Sequence, residues 1–474
     1  MPNQTYQAAV AQHQAGQASA AEELYQEVLV GDPQHMDAVF NLAALLASQG
    51  RFGEAIPLYQ QVLAVLPEDP DTLSNLGNAH AQAGQLDEAA DCYRRALAEN
   101  PLFSAAHANL GNLLYQQGDT TAAIDCYHQA ISIDPAIPNA HNNLGSILMA
   151  AGRNEEARES YQAALRADPN SPDACKNFGN ILLSFGDAEG AVEALHQATV
   201  LAPKWAAAHA DLGLALTRLD RFAEARAALE AALALEPNFI EAWNCLGNLL
   251  LLMEQHDDCE QVLKRARELD PDNTLTAFHS GTLYFKLSRY EEAAAAFERA
   301  CAGQPNSADY RNSYGNSLLA QTRISEAAEQ YNQAISLQPD FAEAHNNLAN
   351  CLVSLEQRED AVASYRRSLA LKPEQALVAC NLGNTLRHMG RLAESVEAFE
   401  HALRFEPDLF NIYNGMGLTL QTQNRHEEAA EKFKRGLEIN PDYPEALNNL
   451  AISEAAIGHI DKAGSSYSKL LQVS

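Results

Sequence analysis

Apolar and small residues recur at helical spacing in two short runs, and each run is closed by a helix-breaking residue. Over residues 70–101 the first run contains Leu73, Leu76 and Gly77, and Gly84 then supplies a turn. The second run resumes the helical period and ends at a proline; it contains Ala89, Tyr93, Ala96, Leu97 and Pro101. This pattern predicts two helices joined by a short turn.

The same two-helix pattern returns every 34 residues, which is the signature of a repeat architecture. Thirteen prolines share one phase: Pro33, Pro67, Pro101, Pro135, Pro169, Pro203, Pro237, Pro271, Pro305, Pro339, Pro373, Pro407 and Pro441. With each proline at position 32, the units are 2–35, 36–69, 70–103, 104–137, 138–171, 172–205, 206–239, 240–273, 274–307, 308–341, 342–375, 376–409, 410–443 and 444–474. We therefore predict one array over residues 2–474 without an inserted domain.

Three further columns repeat in phase with the prolines. Position 8 is always Gly or Ala, position 20 is Ala in twelve units, and position 24 is Tyr or Phe in eleven. Small residues thus alternate with large ones where two helices approach each other closely. These columns resemble the tetratricopeptide repeat (TPR) family, as in Asn109-Leu110-Gly111, Ala123, Tyr127 and Pro135.

The resemblance implies a pair of antiparallel helices, A and B, in each unit. It also implies a right-handed superhelix with helix A on the concave side. We expect an all-α fold, a right-handed superhelical solenoid of about fourteen 34-residue helix-turn-helix repeats.

Composition and charge narrow the class of partner. The chain has 62 acidic and 32 basic residues, a net charge of −30 and a pI near 4.8. Charge of this sign repels phosphate groups, so we expect neither nucleic acid nor a membrane surface as partner. An extended protein or peptide ligand that is neutral to basic fits better. The absence of a signal-peptide pattern and of a long apolar run predicts a cytoplasmic location.

The histidines, cysteines and glycines that could form a metal, catalytic or phosphate site occupy positions that the repeat itself explains. His107, His141, His209 and His345 share position 4, and equivalent positions in neighbouring hairpins are too far apart to share a metal ion. No cysteine has an identifiable base beside it, and no phosphate-binding glycine loop is present. We therefore predict no catalytic residue, no metal site and no cofactor, and free cysteines throughout.

Two columns of asparagine on helix A exceed what helix formation needs, because asparagine is a mediocre helix former. They occupy positions 6 and 9, three residues apart and so on one face. We predict that they hold the backbone of an extended peptide, and the alternative is that they only maintain the stacking of helices. The predicted peptide-binding residues are Asn41, Asn75, Asn78, Asn109, Asn112, Asn143, Asn177, Asn180, Asn347, Asn350, Asn381 and Asn384.

These asparagines resemble those in the repeat region of protein O-linked N-acetylglucosamine transferases. The similar motifs are His107-Ala108-Asn109-Leu110-Gly111-Asn112 and His345-Asn346-Asn347-Leu348-Ala349-Asn350. No sequence remains for a nucleotide-sugar domain. The leading prediction is a non-catalytic interaction scaffold, and the alternative is the substrate-recognition arm of such a transferase.

The central units depart from the pattern. Position 6 becomes Asp211, Cys245, His279 and Ser313, and the turn glycine is replaced by Asp220, Glu254, Ser288, Thr322 and Glu356. This suggests two peptide-binding stretches, units two to six and ten to twelve, although drift among repeats explains the change equally well. The last helix carries Leu470, Leu471 and Val473, so we expect a partly apolar terminal face capable of self-association.

Overall fold

The computed structural model describes residues 2–473, and Ser474, the last residue of the fourteenth unit, lies outside that range. Within these residues the chain forms 28 α-helices and no strand. The helices are α1 Pro2–Gln14, α2 Ala18–Gly31, α3 Met36–Ser48, α4 Phe52–Val65, α5 Pro70–Gln82, α6 Leu86–Glu99, α7 Ser104–Gln116, α8 Thr120–Ile133, α9 Pro138–Ala150, α10 Asn154–Ala167, α11 Pro172–Ser184, α12 Ala188–Leu201, α13 Ala206–Arg218, α14 Phe222–Leu235, α15 Ile240–Leu252, α16 His256–Leu269, α17 Thr274–Lys286, α18 Tyr290–Gly303, α19 Ala308–Ala320, α20 Ile324–Leu337, α21 Ala342–Ser354, α22 Arg358–Leu371, α23 Ala376–His388, α24 Leu392–Phe405, α25 Phe410–Thr422, α26 His426–Ile439, α27 Pro444–Ala456 and α28 Ile460–Val473.

Each 34-residue unit holds one odd-numbered and one even-numbered helix. In the fourth unit, for example, α7 has 13 residues and α8 has 14, with three residues between them. Such a short connection makes the two helices antiparallel neighbours. The prediction of an all-α helical solenoid is confirmed.

The described chain divides into two compact parts, one up to Ala242 and one from Trp243. We call them the first part and the second part. Each is a run of helix pairs with its own buried core. That the fourteen units form a single array remains a prediction.

Within a pair of helices, the small residue at position 8 lies against the large side chain at position 24. Tyr161 and Ala157 are fully buried, and the ring of Tyr161 lies against Gly145. A Cβ atom at Gly145 would approach Tyr161 Cε1 to 2.7 Å. The position-8 glycine therefore makes room for the position-24 aromatic ring of the same unit.

The turn from the odd to the even helix requires a left-handed residue at position 15. Gly84 has φ +78°, and its turn is closed by a bond from Gln85 N to His80 O. Thr322 adopts φ +60° in the same motif, with Arg323 N bonded to Leu318 O. The other non-glycine residues with this conformation are Asp220, Glu254, Ser288, Glu356 and Asn424. The turn backbone is thus retained where the sequence suggested divergence.

Replacing Thr322 by glycine is expected to stabilise the second part by about 1 kcal/mol, because a β-branched residue is strained in the left-handed region. The midpoint of urea unfolding measures this. Gly84→Thr is the matched control and should lower stability by a similar amount. An unchanged midpoint for both variants would show that these turns carry no strain.

Candidate functional site: a hydrogen-bonded asparagine relay

A tyrosine and two asparagines form a recurring hydrogen-bonded group on the odd-numbered helices. The Tyr93 hydroxyl donates to Asn78 Oδ1 at 2.7 Å, and Asn109 Nδ2 of the next unit donates to the same oxygen at 2.9 Å. One unit later, the Tyr127 hydroxyl and Asn143 Nδ2 both donate to Asn112 Oδ1, the latter at 2.9 Å. We call this group the relay.

The second part contains the same relay twice. The Tyr331 hydroxyl and Asn347 Nδ2 donate to Asn316 Oδ1 at 2.8 and 3.1 Å. The next relay joins Tyr365, Asn350 and Asn381, with distances of 2.6 and 3.5 Å at Asn350 Oδ1. The position-9 oxygen thus accepts from position 24 of its own unit and from position 6 of the following unit.

The relay fixes the orientation of each position-9 amide. Two donors point at Oδ1, so the carbonyl oxygen, which has two lone pairs, must face them. Burial raises the pKa of Tyr127 to about 12, which keeps its hydroxyl protonated as a donor at neutral pH. In the first part, the Nδ2 groups of Asn78 and Asn112 and the Oδ1 atoms of Asn109 and Asn143 are left outside these bonds, whereas Asn347 Oδ1 accepts from Asn346 Nδ2 at 3.3 Å. The groups left outside offer donors and acceptors, which is what a peptide group requires.

A cleft opens beside the relay of the third and fourth units. It has a volume of about 700 Å³ and lies between α5 and α7. Its walls carry five amide side chains, those of Asn78, Gln82, Asn109, Asn112 and Gln116. Three of the four predicted peptide-binding residues of these units, Asn78, Asn109 and Asn112, are therefore brought together around one open space, and Asn75 does not line it.

The remaining predicted residues make other contacts. Asn41 donates to the Tyr6 hydroxyl at 2.9 Å, Asn177 donates to Asn142 Oδ1 at 3.1 Å, and Asn384 lies 3.8 Å from Cys380 Sγ. Asn75 is half-buried and its side chain makes no hydrogen bond to residues 2–473. The relay therefore does not extend to every predicted position.

Position 5 forms a third asparagine column that the sequence reasoning missed. Asn142, Asn312 and Asn414 accept hydrogen bonds from the position-6 asparagine of the next unit, at 3.1, 3.2 and 3.1 Å. A count of asparagine at every helix-A position would have found this column. We call the surface formed by positions 5, 6 and 9 of the odd-numbered helices the ladder face.

In the seventh unit an aspartate replaces the position-6 asparagine of the relay. Asp211 occupies position 6 of the seventh unit and accepts from Asn180 Nδ2 at 2.8 Å. Lys176 binds the same carboxylate oxygen at 2.9 Å and lies 5.5 Å above the Trp205 ring. In the second part, burial lowers the pKa of His279 to about 4, so this position-6 residue is neutral at physiological pH.

The position-4 column stabilises the turn between units. His107 Nε2 lies 3.1 Å from Pro101 O, and His141, His209 and His345 contact the equivalent proline oxygens. Tyr413 donates to Pro407 O in the same way, at 2.9 Å. These side chains tie helix A to the end of the preceding helix B. Within the described chain, no three metal-ligating side chains form a group that could hold an ion.

The cysteines are buried or half-buried thiols. Burial raises the pKa of Cys92 to about 11 and that of Cys259 to about 12, so both remain protonated at neutral pH.

At the C-terminal end, Ile460 and Leu471 are exposed, whereas Leu470 and Val473 are half-buried. Self-association through this end stays a prediction. The helices over residues 2–473, at 13 or 14 residues, are too short to cross a bilayer.

Paired helices in a 34-residue repeat, with amide-rich odd-numbered helices, define a helical repeat scaffold. Comparison with known families shows which family of repeat proteins this is. Tetratricopeptide repeat models match residues 35–98, 374–442, 244–308, 414–472 and 342–375, and a TPR repeat model matches residues 315–355. The chain belongs to the tetratricopeptide repeat family.

Other comparisons gave more distant similarities. A model of the Cilia and flagella-associated protein 70 C-terminal domain matches residues 101–274. The crystal structure of the APC/C hetero-tetramer Cut9-Hcn1 is 13% identical, with a TM-score of 0.48 over 96% of both chains. The crystal structure of YrrB, a TPR protein with an unusual peptide-binding site, is 22% identical, with a TM-score of 0.36 over 40% of this chain and 96% of that one. No curated protein matches the chain.

Proposed function

We propose that this protein-interaction scaffold holds extended peptide segments along its ladder face by hydrogen bonds to the peptide main chain. The observation that carries the proposal is the relay of Asn78, Tyr93 and Asn109 and its repeats. Packing uses the position-9 oxygen and one position-6 donor. At Asn112 and Asn143 the groups left over are a donor, Nδ2, and an acceptor, Oδ1, which are the two kinds of group that a peptide main chain needs.

The two interpretations of the asparagine columns are compatible because they use different atoms. Stacking of helices needs the bonds from Tyr127 and Asn143 to Asn112 Oδ1. Ligand binding would use Asn112 Nδ2 and Asn143 Oδ1. A side chain held rigidly by its neighbours loses little entropy when it binds, which favours recognition by such a preorganised face.

The net charge of −30 supports a ligand that is neutral to basic overall. We further propose a cytoplasmic, non-catalytic role, which agrees with the common use of such repeats as scaffolds. The alternative, an arm that delivers substrates to a glycosyltransferase, rests on the same asparagine columns and predicts the same peptide contacts. The choice between them depends on whether a transferase domain accompanies this array.

The proposal is tested by locating a bound peptide. Peptides are selected on the protein from a random twelve-residue display library, and one residue is replaced by a photoreactive analogue. Crosslinks are expected on the odd-numbered helices, near Gln82 and Gln116 for a peptide bound in the first part. Crosslinks confined to the outer faces of the even-numbered helices would contradict the proposal.

A further inference from the structure

The ladder face of units eleven and twelve keeps polar groups that find no partner in the described chain. Asn346 Oδ1 and Arg387 Nε are buried, and neither forms a hydrogen bond within residues 2–473. Asn346 precedes Asn347 in α21, and Arg387 follows Asn384 by three residues in α23. Asn346 is itself a position-5 asparagine of the ladder face, and Arg387 lies on the same side of α23 as Asn384. Buried polar atoms without a partner raise the free energy of the folded state and often mark a functional site.

The relay ends at this point. Position 24 of the twelfth unit is Phe399, which has no hydroxyl, and position 6 of the thirteenth unit is Gly415. Both donors that elsewhere hold the position-9 oxygen are thus missing at Asn384, whose amide makes only a weak contact with Cys380 Sγ at 3.8 Å. The last ladder amide of this run is left available, three residues before Arg387.

Arg387 carries a charge that the chain does not neutralise. Arg387 Nη2 donates a hydrogen bond to His388 Nε2 at 3.3 Å, which requires an unprotonated imidazole nitrogen. Burial lowers the pKa of both side chains. Arg391, four residues later, shows the usual arrangement: it binds Glu394 at 2.6 Å. No carboxylate within residues 2–473 forms an ion pair with Arg387, although acidic residues outnumber basic ones by 62 to 32.

We propose that Arg387 binds an oxyanion carried by a side chain of the bound peptide. The inference rests on the proposed function and adds a sequence requirement to it. A guanidinium group presents its donors as a planar fork that matches two oxygens of a carboxylate or a phosphate. The oxyanion is therefore that of an aspartate or glutamate, or of a phosphorylated residue.

The test uses the full chain and two small probes, acetate and inorganic phosphate, added at constant ionic strength in chloride. The thermal midpoint of the wild type should rise with at least one probe. Phosphate also stabilises proteins by exclusion from their surface, so the relevant quantity is the difference from Arg387→Met. In that variant the specific rise should disappear. A rise with acetate alone indicates an acidic residue, and a rise with phosphate alone a phosphorylated one.

Arg311→Met is the matched control. Arg311 Nε is also buried without a partner, but its Nη1 donates to Gln330 and it belongs to position 4, away from the ladder face. The rise should survive in this variant. In chloride alone, Arg387→Met should be no less stable than the wild type, because it removes a half-buried charge that no carboxylate within residues 2–473 neutralises.

The proposal is overturned if neither probe raises the midpoint beyond its effect on Arg387→Met, or if Arg387→Met loses stability in chloride. Neither readout depends on main-chain binding. The response to the probes should therefore persist in Asn78→Asp/Asn112→Asp, a variant of the first part that tests the ladder itself. Failure of the oxyanion site and failure of the proposed function are thereby distinguished.

Discussion

Replacing Tyr331 by alanine is expected to lower the free energy of unfolding of the second part by about 4 kcal/mol, the usual cost of truncating a fully buried aromatic residue. Tyr331 is completely buried, and its ring lies against Gly315, where an added Cβ would approach Tyr331 Cε1 to 2.6 Å. The glycine cannot fill the space that the ring leaves. Urea unfolding followed by circular dichroism measures the loss.

Tyr331→Phe separates the ring from the hydroxyl. It keeps the packing and removes the bond to Asn316 Oδ1, so we expect a loss of about 1 kcal/mol, typical of one hydrogen bond. The position-9 amide then loses one of the two donors that orient it. A loss for Tyr331→Ala no larger than that for Tyr331→Phe would show that the position-24 ring does not hold the hairpin together.

The double replacement Asn78→Asp and Asn112→Asp is expected to weaken peptide binding by about 10- to 30-fold without loss of stability. Each carboxylate still accepts the two bonds that Oδ1 accepts in the relay, and these become charge-assisted. Each replacement removes the Nδ2 group that is proposed to donate one hydrogen bond to the ligand. The fold-change corresponds to about 1 kcal/mol for each lost hydrogen bond. Fluorescence anisotropy with a selected peptide measures the affinity.

Charge is controlled with a second double variant. Asn154→Asp and Asn170→Asp add the same two negative charges at exposed positions outside the cleft between α5 and α7. This variant should bind the peptide like the wild type. Equal weakening in both variants would show that the effect is due to charge. Unchanged binding in both would show that the position-9 amides do not contact the peptide.

The repeat architecture could be predicted from sequence because it depends on residues with one structural use. Pro101 has no N–H to continue the helix that precedes it, and a column of Gly and Ala opposite Tyr predicts close packing. The turns were harder to interpret. The replacement of glycine by Thr322 suggested divergence, yet the surrounding bonds impose φ +60° on the threonine. The residue type determines which φ values are preferred, but the hydrogen bonds that cap the preceding helix determine the φ that is adopted.

The asparagine columns show where sequence reasoning stops. A column at positions 6 and 9 predicts a shared face, but it cannot separate a packing amide from a binding amide. In the structure, packing uses Oδ1 of Asn112 and leaves its Nδ2 group, which we propose donates to the ligand. Likewise, spacing in the sequence does not reveal that Lys176 and Asp211 form an ion pair, and only the fold brings them within 2.9 Å of each other. The unpaired state of Arg387 also depends on distances that spacing does not reveal.

Main-chain recognition is tested most directly by changing the peptide main chain alone. A selected peptide is compared with versions carrying single N-methyl groups at successive residues, which remove one N–H donor each and leave every side chain in place. Binding to the ladder face predicts losses of about tenfold or more at several residues along the peptide. Affinity that tolerates N-methylation throughout, and falls only when side chains are changed, would contradict the account.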